Sequence, residues 1–458
     1  MVKKYLILLL VSLIAINLGG QKPKSIKIIV EDCKFDALYI NEVFGKDKKN
    51  KVTLFRGPKN EFVLFTKSFE PGIYYFGTKS EKENQILIYS SKENSQTLHF
   101  DNTLKYLIQK NKSIENNAYY QFKESIKNLE ELKKKYSDLG NYTSRDSCRN
   151  EINTIRRKFI NEHKNTLVAK LIMSELDWID PLFSGYNRNE YNDKITYLRI
   201  DSFLYNIDLK DSVSLRLPAV YTRIMDYFDK AVHIKPDLAV TKIDSIFTQM
   251  GYNSSMMKYY LPEFENKYSF AFRPWVDTAY IHIAKKYYNR QTCSWLDESE
   301  IQRVKDECKK KEGSLIGKII PDVVLQDEYG KEVRLMDIKA NYIVLDFWRP
   351  ECSHCTEAFS HLEDAWKKYN EKGVVFVAVC TRQQTDAKMC WDNSYGEKPH
   401  FFKYSLADVK GTTGFLNKFN VGGVPNIMIL DENKKILDKK INPPSILFRL
   451  EEIINAKN

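Results

Sequence analysis

The run Tyr342–Trp348 is apolar but for one acid, Asp346, and only Arg349-Pro350-Glu351 separates it from Cys352-Ser353-His354-Cys355. A continuous apolar run of this length reads as a buried strand covered on both faces of its sheet. Residues 352–369 then carry a helical pattern. Around this junction lie further strand patterns at 319–325, 374–380, 426–430 and 436–441, turns at 327–330 and 431–434, and a last helix at 446–454. Strands alternating with helices predict an α/β domain over 313–458.

Two cysteines separated by two residues at a strand-to-helix junction place the first sulfur at the helix N-terminus. Unpaired N–H groups and the positive end of the dipole favour a thiolate there. The second sulfur follows one turn later, within reach of an intramolecular disulfide. The arrangement suits dithiol exchange, with Cys352 attacking a disulfide and Cys355 resolving the mixed disulfide. His354, between them, is expected to stabilise the thiolate and so tune the potential. Asp346 in an apolar strand needs a reason, because an unpaired buried carboxylate is costly; it is read as a proton acceptor for Cys355, acting through water. Downstream, Val421-Gly422-Gly423-Val424-Pro425-Asn426 sets a proline just before a strand. A cis Val424-Pro425 bond would present the Val424 backbone to a substrate peptide beside the sulfurs. Trp348 joins Val424 and Pro425 as a candidate substrate contact.

The remaining 312 residues have other periods. Lys3 and Lys4, an apolar run over 5–18 and Gly19-Gly20 read as a secretory signal over 1–20, too short for a permanent anchor. The expected mature protein is therefore soluble and exported, without spanning a membrane. Residues 21–105 show alternating short runs (Ile26, Ile28 and Val30 first), which predict an antiparallel β-sandwich-like domain. Residues 106–312 switch to helical spacing, seen in the stripe Ile114, Ala118, Phe122, Ile126, Leu129, Leu132 and Tyr136. Further helical patterns run over 149–172, 215–231, 238–250, 276–288 and 298–311, with a break at 234–237 and Trp178, Trp275 and Trp295 as large anchors. The fold class is thus multidomain: an N-terminal antiparallel β domain, a central α-helical domain and a C-terminal α/β domain. A charge of +11, from 71 Lys+Arg against 60 Asp+Glu, is spread along the chain. It reads as a solvated surface with no nucleic-acid partner.

Residues 313–458 resemble thioredoxin-fold domains of the TlpA/ResA-like class. The match lies in Gly317-Lys318-Ile319-Ile320-Pro321-Asp322, Asp346-Phe347-Trp348, Cys352 to Cys355 and Val424-Pro425. The resemblance implies periplasmic or otherwise extracytoplasmic thiol–disulfide exchange with protein substrates, a membrane-bound dithiol redox partner, and a role often tied to cytochrome c maturation. No cofactor beyond the redox-active disulfide is implied. The upstream regions resemble Bacteroidota proteins with DUF4369-like and DUF5106-like segments, carried by stretches such as Ser294-Trp295-Leu296-Asp297. The class often has a Glu three residues after the second cysteine and a Pro two beyond. Ala358 and Ser360 stand there, and Glu357 is one residue early, about 100° round the helix, so the Glu role is not transferred. Asp346 instead matches the buried acid of thioredoxin proper.

Other chemistries fit less well. A structural zinc site needs four ligands, usually as two spaced pairs, and no second pair exists. Peroxidase chemistry of the peroxiredoxin type needs a Pro and a Thr or Ser at fixed spacing before the reactive cysteine, and neither Cys352 nor Cys355 has that context. Cys380 reads as an inert buried thiol and Cys390 as a helix residue; a disulfide between them is possible but has no support in spacing. Cys33, Cys148, Cys293 and Cys308 are unassigned. The alternative to an oxidoreductase is a non-catalytic binding or assembly protein in which the thioredoxin-like domain is structural.

Overall fold

The computed structural model describes residues 24–79, 85–93, 95–107, 110–176, 188–231, 238–269, 276–392 and 399–456. The expected signal segment, the 234–237 break, Trp178 and Trp275 lie outside the described residues. The chain forms two compact units, Met1–Lys235 and Pro236–Asn458, so the helical stretch read over 106–312 contributes to both.

In the first unit, strands β1 (Ser25–Val30), β2 (Ala37–Phe44), β3 (Asp47–Phe55), β4 (Glu61–Phe65), β5 (Gly72–Gly77), β6 (Gln85–Tyr89) and β7 (Gln96–Phe100) form two sheets, ordered β3-β2-β5-β6 and β4-β1-β7. Pairings are antiparallel except β1 with β7, which is parallel. The alternation in β1 buries Ile26, Ile28 and Val30 against Leu38, Ile40, Phe76 and Leu87 of the other sheet, the packing of a sandwich. Helices α1 (Ile114–Asp138), α2 (Tyr142–Glu162), α3 (Leu167–Ser174), α4 (Arg188–Ser202) and α5 (Pro218–Asp226) follow. Asn116 of α1 pins that helix to β6, its Oδ1 accepting from the Ile88 N–H and its Nδ2 donating to the Ile88 carbonyl. The Glu115 carboxylate accepts from the N–H groups of Leu167 and Val168, satisfying the start of α3. The α1 stripe is buried at Ala118, Phe122 and Ile126, whereas Ile114 and Leu132 at its ends are exposed. The pattern over 149–172 is not one helix: α2 ends at Glu162, Asn165 takes positive φ, and the Thr166 side chain caps α3.

The second unit begins with α6 (Ala239–Met250), α7 (Ser255–Ser269), α8 (Val276–Tyr287) and α9 (Glu298–Gly313). Then come β8 (Val324–Gln326), β9 (Glu332–Arg334), β10 (Tyr342–Trp348), α10 (Ser353–Tyr369), β11 (Val374–Gln383), β12 (Tyr404–Asp408), α11 (Phe415–Lys418), β13 (Asn426–Asp431), β14 (Ile436–Ile441) and α12 (Ile446–Asn455). The described strands form one seven-stranded sheet, β14-β13-β10-β11-β12-β8-β9, with β10, β11 and β12 parallel and β13 antiparallel to β10. Every residue of β10 is buried, which explains its continuous apolar run. Tyr342, Val344 and Trp348 face one core with α10 and α12, while Ile343, Leu345 and Phe347 face the other. The strand expected over 319–325 is shorter: β8 starts at Val324, and Ile319 makes only an isolated bridge to Lys435.

Helices α8 and α9 are fastened to the edge strand β14 by buried charge. Asp277 of α8 lies 2.5 Å from Lys439, 3.2 Å from Lys440 and 3.3 Å from Lys311 of α9. Adjacent strand residues ordinarily point to opposite faces. Here a register shift and the positive φ of Lys440 let both lysines reach the same carboxylate. Burial disfavours the charged form of Asp277, but the three ammonium groups outweigh it and hold the carboxyl below its usual range.

Candidate active site

Cys352 is the N-cap of α10, and its sulfur accepts from the Cys355 N–H at 3.2 Å. The two cysteines are joined as a disulfide with Cα atoms 5.3 Å apart. Cys352 is 9% exposed and Cys355 0%, so the sulfur at the helix N-terminus is the accessible one. Val424-Pro425 is cis, and the Val424 carbonyl oxygen lies 3.8 Å from the Cys352 sulfur. Trp348 packs edge-on to Phe359 of α10 at 5.4 Å, and its carbonyl accepts from the Thr381 hydroxyl at 3.1 Å. Glu351, next to Cys352, is ion-paired with Arg382 of β11.

Asp346 lies two residues from both Val344 and Trp348 on β10, and so on the sheet face that packs on Cys355 and α10. Its register neighbours are Ala378 and Ile427, both apolar. It is 0% exposed and neither carboxylate oxygen has a protein partner. Burial alone pushes its carboxyl up to about 7. A group with that value can both take and return a proton near neutrality. His354 is exposed, and its Nδ1 lies 3.3 Å from Glu357 Oε2. Its ring is therefore engaged with a carboxylate on the solvent side of α10.

The reading of Cys380 as a free thiol is corrected. Cys380, the register neighbour of Trp348, is disulfide-bonded to Cys390, which sits in the 3-10 turn Gln384–Trp391. Both are buried in the core that contains Cys352 and Cys355. Spacing gave no warning, because a short excursion after β11 folds back on the strand end. Cys33, Cys148, Cys293 and Cys308 are buried and unpaired. Burial raises the thiols of Cys293 and Cys308. Among the described residues no cluster of His, Cys, Asp or Glu could hold a metal ion, and no helix is long and apolar enough to cross a membrane.

A cysteine pair capping a helix after a central parallel strand, faced by a cis-proline loop, defines a thioredoxin-fold dithiol protein. The AhpC/TSA family model matches residues 316–439. Thiol-disulfide oxidoreductase ResA of Bacillus thuringiensis (strain Al Hakam) is 30% identical over 131 residues, which cover 29% of this chain and 72% of that protein. ResA of Bacillus subtilis (strain 168) is 33% identical over 86 residues, 19% of this chain and 48% of that protein. Among solved structures, a thioredoxin-like protein from Bacteroides caccae ATCC 43185 aligns with a TM-score of 0.50 at 17% identity, covering 60% of this chain and 99% of that one. This last likeness concerns the fold alone. Through its C-terminal domain the chain belongs to the ResA-type thiol-disulfide oxidoreductases, and it is an enzyme of that thioredoxin-like class.

Proposed function

We propose that the protein is an exported, periplasmic oxidoreductase that exchanges the Cys352/Cys355 dithiol with disulfides of protein substrates. The position of Cys352 as the N-cap of α10, with a backbone N–H already directed at its sulfur, carries the reading. In the reducing direction the Cys352 thiolate attacks a substrate disulfide, forming a mixed disulfide and releasing one substrate thiolate. Asp346, as carboxylate, takes the Cys355 proton through water. Cys355 then attacks the Cys352 sulfur, closing the protein's disulfide and releasing the second substrate thiolate. Two electrons reach the substrate, and a membrane-bound dithiol partner restores them; the oxidising direction is the same sequence reversed. His354, when cationic, adds positive charge near the thiolate, partly offset by Glu357. The Val424 backbone pairs with the substrate chain, with Pro425 and Trp348 shaping the approach. No further cofactor enters this chemistry.

The test is trapping. Cys355→Ser, reduced and mixed with a disulfide-bonded peptide, should accumulate a mixed disulfide mapped by mass spectrometry to Cys352, whereas Cys352→Ser should accumulate none. A stable adduct on neither variant, or one on Cys380 or Cys390 instead, would refute the proposal.

A further inference from the structure

The last residues of β11 leave its regular pairing beside the active site. Toward β12, Cys380 is the register partner of Ala407, but the next partner, that of Asp408, is Gln383, so Thr381 and Arg382 bulge out of the ladder. A bulge re-aims side chains that a regular strand would send to alternate faces. Both ends of this one are anchored. Cys380 is disulfide-bonded to Cys390, and Gln383 Nε2 donates to Asp408 Oδ2 at 3.3 Å. Both bulged residues reach the connection from β10 to α10. The Thr381 hydroxyl donates to the carbonyl of Trp348, the last residue of β10, at 3.1 Å. The Arg382 guanidinium pairs with Glu351, the residue just before Cys352.

Being adjacent in the chain, Glu351 keeps its carboxylate within about 11 Å of the Cys352 sulfur. An acid there disfavours the very thiolate that the N-terminus of α10 favours. Arg382 is its ion-pair partner among the described residues, and a guanidinium keeps its charge at every working pH. The two side chains are 37% and 32% exposed, so water screens the pair only in part. The Arg382 Nε is buried without a hydrogen-bond partner, a cost that a side chain free to extend into water would avoid. The other charged or titratable groups around Cys352 belong to other elements. Arg349 is exposed in the same connection, Asp346 is buried in β10, and His354 meets Glu357 on the outer side of α10. His361 and Lys440 line the cleft between α10 and the cis-proline loop.

We infer that Arg382 is a positioning residue of the dithiol chemistry: it holds the Glu351 carboxylate, cancels its charge beside Cys352 and so keeps the attacking sulfur available as a thiolate. The bulge that presents Arg382 is then part of the active site, and the Cys380–Cys390 bond serves as its anchor. This inference rests on the oxidoreductase reading.

The experiment alkylates the reduced full-length protein with iodoacetamide across a pH series and follows the Cys352 adduct by mass spectrometry. Wild type is compared with Arg382→Gln, Arg382→Lys, Glu351→Gln and the double variant Glu351→Gln/Arg382→Gln. Arg382→Gln leaves the acid uncompensated and should move the midpoint of the Cys352 profile up by about 0.3–0.8 pH unit, the scale of one charge acting through solvent at this range. Glu351→Gln leaves the cation alone and should move the midpoint down by a similar amount. Arg382→Lys keeps the charge and the double variant removes both charges, so both profiles should lie close to wild type. About 0.5 M NaCl should shrink the two single shifts. A pair that only braced the loop would displace both single variants and the double variant in the same direction. That result, or midpoints that coincide throughout, would overturn this inference and leave the oxidoreductase reading standing. A Cys352 that is alkylated at no pH would overturn both.

Discussion

Replacing Asp346 by Asn removes one titration from the core while keeping size and polarity, and its effect on stability should depend on pH. The carboxyl moves from an ordinary 3.8 to about 7 in the folded protein, because burial disfavours its charge and no neighbour offsets that. A folded value above the unfolded one contributes stability that is fully present below about 4 and is lost as pH rises through about 7. Roughly three pH units at about 1.4 kcal/mol each give about 4 kcal/mol. Relative to Asp346→Asn, the wild type should therefore lose about 4 kcal/mol between pH 4 and pH 8.5. Urea unfolding of the oxidised proteins across that range, followed by tryptophan fluorescence, measures it; Trp348, Trp366 and Trp391 report on the thioredoxin-like domain. A wild-type-to-variant difference that stays constant from pH 4 to pH 8.5 would refute the argument that Asp346 is buried and unpaired.

Other perturbations have defined outcomes. Asp277→Asn leaves Lys311, Lys439 and Lys440 without their shared anion and should cost about 3–5 kcal/mol, read as a lower urea midpoint. Cys380→Ala with Cys390→Ala opens a loop of sequence separation 10 and should cost about 2–3 kcal/mol on the chain-entropy account, while Cys352 and Cys355 still exchange with glutathione. Glu357→Gln releases His354 from its carboxylate and should raise the reduction potential of the catalytic pair, whereas His354→Ala should lower it. Because both groups are exposed, each shift should stay below about 30 mV, the equivalent of about 1.4 kcal/mol for a two-electron couple.

The elements around the sulfurs were the most legible in the sequence. Strand β10 was read to the residue, because a strand buried on both faces leaves an unbroken apolar run, and α10 starts one residue after the expected position because Cys352 serves as its cap. Legibility fell where elements are short or half-covered. Strand β12 has only five residues and follows a long excursion from β11. Helices α4 and α7 went unread; in α7 Pro262 lies inside the helix and Met256, Tyr260 and Phe264 carry the buried face. Strand β2 also went unread, although Leu38 and Ile40 alternate with partly exposed neighbours. Tertiary features left no one-dimensional trace. The Cys380–Cys390 bond depends on where a turn folds back, and the Asp277 cluster depends on a bulge that defeats strand alternation. The Asp346 environment was inferable only because an acid inside an apolar strand is costly enough to demand a cause.

The redox behaviour of one cysteine pair tests the oxidoreductase reading most directly. Equilibration of the full-length protein in glutathione buffers, followed by alkylation and mass-spectrometric mapping, should show Cys352 and Cys355 changing together as a two-electron couple between about −270 and −120 mV. A value near the lower limit indicates a reductant and one near the upper limit an oxidant. A Cys352–Cys355 pair that never exchanges with glutathione would contradict the catalytic account.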